Sequence, residues 1–115
     1  MVNTLEISGR LVNDMAEEHF TRKNGETMNC LKFKIAVNKA NGKAFFLNAV
    51  VYNADLKGCP CKTTKGSLIA LKGALNCNQL KAKEGEKYGA YWYEIVVSKA
   101  KDYEEPTNID ENLEF

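Results

Sequence analysis

Apolar and polar residues alternate along much of this chain, most clearly between Leu31 and Tyr52. Leu31, Phe33, Ile35 and Val37 are interleaved with Lys32 and Lys34 and followed by Asn38. That period of two predicts a strand with one buried and one wet face. Ala40-Asn41-Gly42-Lys43 follows, and its Asn-Gly pair suits the positive φ angles of a tight hairpin. The returning strand, Phe45 to Tyr52, is apolar on both faces: Leu47, Ala49 and Val51 on one, Phe46, Asn48, Val50 and Tyr52 on the other. Either a second subunit or a flat ligand must cover the Phe46–Tyr52 face. The lysines of the neighbouring strand favour a flat anionic ligand.

The same pattern predicts three more strands. Leu5, Ile7, Gly9 and Leu11 alternate against Glu6, Ser8 and Arg10, with Gly9 placed for a bend. Ile69, Leu71, Gly73 and Leu75 share one side of Ser67–Leu75. Tyr93, Ile95 and Val97 oppose Trp92, Glu94 and Val96 in Tyr91–Val97. Met15 to Phe20 reads equally as a strand extension or a loop, and Asn24-Gly25 marks a hairpin turn after it. Between Asn53 and Gly66 the alternation stops. Asn53 is a candidate helix cap, while Gly58 and Pro60 limit any helix to one or two turns. Five strands with a short helix or loop between the third and fourth predict an all-β, five-stranded OB-fold barrel, since closure removes sheet edges. Residues 1–103 form that domain in this reading, and 104–115 a short, acidic, disordered tail.

Charge sharpens the picture. The 115 residues carry a net charge of +1. Through Lys101 there are 16 Lys/Arg against 9 Asp/Glu, a net +7, whereas Asp102 to Phe115 holds 6 acids and no base. A basic body with an acidic tail suggests a polyanion binder that carries its own competitor. No apolar run reaches membrane length, and the opening residues lack a signal-peptide pattern, so a cytoplasmic protein with no membrane partner is expected. Cys30, Cys59, Cys61 and Cys77 then read as reduced thiols. Cys59-Pro60-Cys61 lacks the two-residue spacer of zinc and redox motifs, and His19 lies in a different segment. No metal, cofactor, catalytic constellation or enzymatic activity is expected.

Over residues 2–103 the chain resembles the bacterial and phage single-stranded-DNA-binding proteins. Val2–Asp14 looks like the family's first strand, with Gly9-Arg10-Leu11 at its "GRL", and Phe33–Lys39 like its second. Lys65-Gly66-Ser67-Leu68 through Leu71–Leu75 resembles the fourth, Glu94–Val97 the end of the fifth, and Ile109–Phe115 the acidic, Phe-ended tip. The resemblance places Phe46 and Tyr52 at the family's base-stacking positions in the third strand. These are the two residues that alternation puts on the anomalous face. It departs from the family at Asn41 and Leu80, where aromatics are common, at Gly58–Cys61, in the short linker, and at Glu114, where Pro is usual. A short, divergent chain of this kind looks like a phage or mobile-element version, in the bacterial cytosol or a phage-infected host cell.

The function this implies is sequence-independent binding and protection of single-stranded DNA in replication, recombination and repair, with RNA left open. Bases would stack on Phe46 and Tyr52, with Tyr88, Tyr91 and Trp92 as secondary candidates. Arg10, Lys32, Lys34, Lys39, Lys43, Lys72, Lys81 and Lys83 would follow the phosphates. Asp110, Glu111, Leu113 and Phe115 would recruit replication and recombination proteins. A homo-oligomer, tetramer or dimer, is the family expectation. The alternative is an OB-fold adaptor of primosomal type, acting mainly through protein contacts.

Overall fold

A computed structural model describes residues 1–104. The expectations placed on Asp110, Glu111, Leu113 and Phe115 lie outside the described residues. Six strands are present: β1 (Leu5–Leu11), β2 (Ala16–Thr21), β3 (Thr27–Asn38), β4 (Ala44–Tyr52), β5 (Leu68–Gln79) and β6 (Tyr91–Asp102). Five of them close a ring in the order β1-β5-β6-β4-β3, with β1 pairing back onto β3. Every pairing is antiparallel except β4 with β6. This is the strand order expected of an OB-fold. The sixth strand, β2, pairs only with β3 and lies outside the ring. It resolves the ambiguous Met15–Phe20 segment in favour of a strand.

Alternation turns one face of each ring strand inward. Leu31, Ile35, Ile69 and Ile95 are completely buried there, packed with Leu11, Phe33, Ala49, Leu71 and Val97. Burying a side chain of this size is worth about 1.5–3 kcal/mol, so this inward stripe holds the ring together. Closure depends on close backbone approach at Gly9. A Cβ there would lie 2.5 Å from the Ala36 carbonyl oxygen, where β1 crosses onto β3.

Among the described residues there is no helix between β4 and β5, which corrects the helical half of the sequence expectation. Asn53 adopts a left-handed φ of 59°, incompatible with the extended backbone of a helix cap. Asp55 Oδ1 then accepts the Gly58 amide at 2.6 Å, and Glu17 of β2 accepts the Leu56 amide at 2.8 Å. Glu17 thus takes the amide that an Asn53 cap would have bonded, and Asp55 takes the one that would have bonded the Ala54 carbonyl in a helical ladder. The loop instead folds under one end of the ring, where Cys61 is buried and its Sγ lies 3.5 Å from that of Cys59. Burial, with the neighbouring Cys59 thiol adding to it, pushes the Cys61 thiol up to about 12.

Candidate nucleic-acid interface

The outer surface of β3 and β4 is built by register. Cys30 faces Tyr52, Lys32 faces Val50, Lys34 faces Asn48, and Ala36 faces Phe46. Val50 is only 1% exposed, flanked by Lys32 on one side and Val96 of β6 on the other. The sheet thus covers its own aliphatic residue and leaves the rings in solvent: Phe46 is 60% and Tyr52 47% exposed. At six residues apart on one strand, they are separated by about 20 Å.

Several predicted cations join this surface. Lys32 and Lys34 stand beside the rings on β3. Arg10 of β1 is in register with Ala36, and Ala36 with Phe46, so the three form one row across three strands. The Arg10 guanidinium donates from Nη1 to the Gly66 carbonyl at 3.0 Å. Lys39 and Lys43 close the tip of the β3–β4 hairpin, and Lys39 Nζ lies 6.0 Å from the Phe45 ring centroid. Lys32 is engaged by Glu18 of β2, Nζ to Oε2 3.2 Å, and this bond and charge raise the lysine's pKa above its ordinary value.

Trp92 is 42% exposed and shares a hollow of about 520 Å³ with Lys32, Lys34, Asn48, Glu94 and Asp14. Tyr88, Lys81 and Lys83 lie in the exposed β5–β6 connection, where Lys87 Nζ sits 5.6 Å from the Tyr88 ring centroid. Tyr91 lies at the start of β6, opposite Gln79. Lys72 is not brought to the aromatic face. It lies on β5 opposite Glu6 of β1, paired at 3.5 Å, beside the larger hollow at the Cys59 end of the ring.

Phe20 is the aromatic that sequence reading missed. It lies on β2, and its ring meets that of Tyr52 edge-on, centroids 6.3 Å apart and planes at 77°. Ala16-Glu17-Glu18-His19-Phe20 carries no apolar alternation, so nothing in that segment marks Phe20. The Asn24-Gly25 turn was the available signal, because a hairpin turn implies a strand on both sides. Among the described residues no group of three or more His, Cys, Asp or Glu is arranged to hold a metal ion, and no helix is long and apolar enough to cross a membrane.

The ring of five strands, in the order β1-β5-β6-β4-β3 and closed by β1 on β3, defines a protein of the OB-fold class. A solved structure agrees on the fold: the dimeric N-terminal domain of PriB from Thermoanaerobacter tencongensis superposes with a TM-score of 0.61, covering 90% of this chain and 98% of that one at 14% identity. No protein-family model matches the chain. In sequence it is 31% identical over 118 residues to single-stranded DNA-binding protein 1 of Staphylococcus aureus strain MSSA476, covering 97% of this chain and 71% of the relative. The single-stranded DNA-binding protein of strain MW2 matches to the same extent. The chain belongs to the single-stranded DNA-binding protein family.

Proposed function

We propose that this protein binds single-stranded DNA without reading its sequence, on the outer face of β3 and β4. The observation that carries the reading is the pair of solvent-exposed rings, Phe46 and Tyr52, on a strand whose aliphatic outer residue is buried. Every base has a π-face, so stacking on a ring tolerates any sequence, and each stacked base is worth about 1–3 kcal/mol. Lys32, Lys34, Lys39, Lys43 and Arg10 surround those rings and supply the charge for the phosphates. Lys81, Lys83, Tyr88, Tyr91 and Trp92 extend the contact from β6 and its preceding loop. Family membership supports a binding role over an enzymatic one.

The wider role is protection of single strands during replication, recombination and repair, with the acidic tip recruiting partner proteins through Asp110, Glu111, Leu113 and Phe115. A homo-oligomer serves the same end by presenting several such faces. The test is a titration of Trp92 fluorescence with oligo-dT and with duplex across a salt series, run beside light scattering. Preferential single-strand binding with a slope of about −0.7 per phosphate contact supports the reading. Absence of both a fluorescence change and a gel shift points to the adaptor instead.

A further inference from the structure

We infer that the single-strand path continues past Tyr52 onto the β2–β3 hairpin, where Phe20, Arg22 and Lys23 form an additional nucleotide position. The inference rests on the proposal that the β3–β4 face binds single strands, and it extends that face beyond the five-stranded ring. Three observations carry it.

The first is continuity of the surface. Glu18 is in register with Cys30 and Phe20 with Met28, while Cys30 is in register with Tyr52 on its other side. Alternation along β2 therefore puts Phe20 on the same outer face as Tyr52, across a single intervening strand. Phe20 takes no part in the buried core, which lies on the opposite face of β3.

The second is ring geometry. Phe20 is 36% exposed, and its plane stands at 77° to that of Tyr52. Two rings at nearly a right angle make an inside corner. A base stacked on one ring presents its edge to the other, and the ring quadrupole favours both contacts. A flat heterocycle suits this corner better than an aliphatic side chain would.

The third is charge. The chain runs from Phe20 through Thr21 to Arg22 and Lys23 at the hairpin tip. The turn is closed by Arg22 N–H to the Glu26 carbonyl at 2.8 Å, Gly25 N–H to the Arg22 carbonyl at 2.9 Å, and Glu26 N–H to Asn24 Oδ1 at 3.0 Å. None of these bonds uses either cationic head group. Among the described residues neither cation belongs to an ion pair. The acids nearest in sequence are Glu18, which is engaged with Lys32, and Glu26. A phosphate leaving the Phe20–Tyr52 corner therefore meets two available cations.

The test uses the full chain and a ladder of labelled oligo-dT lengths read by fluorescence anisotropy. Phe20→Leu keeps an apolar residue but removes the ring, and Arg22→Gln/Lys23→Gln removes the charges; thermal melts confirm that both variants fold. Oligonucleotides too short to reach past Tyr52 should bind both variants as they bind the wild type. Longer ones should bind Phe20→Leu about fivefold or more weakly, the lower range for one stacked base. The double variant should lower the salt slope on long oligonucleotides by about 1.4, two phosphate contacts' worth. An equal loss at every length would show that Phe20 only props Tyr52, and no loss at any length would leave it without a role; either overturns the inference. If the wild type binds no single strand at all, the underlying function fails as well. If binding depends on Phe46 and Tyr52 but not on the hairpin, only this extension falls.

Discussion

Glu18 Oε2 lies 3.2 Å from Lys32 Nζ on the same face that carries Phe46 and Tyr52. A carboxylate there partly neutralises a cation that a phosphate would otherwise meet, and it repels the phosphate directly. Both partners are at least half exposed, so the pair adds little to stability, within about 1 kcal/mol. Its effect falls on binding. Glu18→Gln should leave the melting temperature nearly unchanged, tighten oligo-dT binding about two- to fivefold, and steepen the salt slope by about 0.7. Isothermal titration at two salt concentrations measures both. Weaker binding in the variant would show that Glu18 instead holds Lys32 in its working position.

Ring closure is tested at Gly9. A methyl group there would lie 2.5 Å from the Ala36 carbonyl oxygen, a backbone atom that cannot swing aside. Gly9→Ala should therefore destabilise the fold by about 2–4 kcal/mol, in the range for overpacking plus a disturbed backbone contact. Urea unfolding measures this. Because the same crossing aligns Arg10 with Ala36 and Phe46, the variant should also bind single strands more weakly at temperatures where it remains folded.

The Cys61 thiol, pushed up to about 12, should stay protonated and resist alkylation at pH 8, whereas the exposed Cys77 reacts. The sign for stability follows from proton counting. Between the ordinary thiol value of 9.0 and about 12 the folded chain holds a proton at Cys61 that the unfolded chain has released. This thiol's contribution is thus fully present below pH 9 and fades as pH rises through that window. Mass spectrometry of iodoacetamide-treated protein gives the order of reaction, and melts in alkaline buffer give the trend. Alkylation of Cys61 as fast as Cys77 would contradict the burial.

Much of this fold was legible wherever a strand has one wet face. β1, β3, β5 and β6 announce themselves by alternation, and β4 by the opposite sign, rings where polar residues were due. The segment that became β2 was ambiguous because it is an edge strand outside the ring with no core face, so burial imposed no pattern on Glu17, Glu18 or His19. The helix after β4 failed for a local reason that propensity does not encode: Asp55 and Glu17 capture the amides of Gly58 and Leu56. Alternation also misjudges Tyr93, which it groups with Ile95 and Val97; Tyr91, a stacking candidate, shares its register. They occupy the inward-facing register yet are 61% and 50% exposed, because they and their β5 partners Gln79 and Cys77 reach beyond the stretch of β6 that pairs with β4. For the site, Phe46 and Tyr52 could be placed from one strand alone. The row formed by Arg10 and the separation of Lys72 depend on how β1 and β5 close the ring, which no local pattern reports.

Removal of Asn108–Phe115 tests the acidic segment. Of the six acids after Lys101, it takes away Asp110, Glu111 and Glu114; as expected competitors of phosphate for the lysines, their loss should make the truncated chain bind oligo-dT more tightly, most clearly at low salt where screening is weak. It should also lose capture of replication and recombination proteins in pull-downs. Unchanged DNA affinity together with unchanged capture would contradict that role.

The most direct measurement is the affinity of the Phe46→Ala/Tyr52→Ala double variant for oligo-dT, with circular dichroism confirming that the sheet is intact. Both rings are solvent-exposed and outside the core, so the variant should fold. Loss of two stacked bases at about 1–3 kcal/mol each predicts binding weakened by at least about thirtyfold. A folded variant that binds oligo-dT as tightly as the wild type would contradict the account.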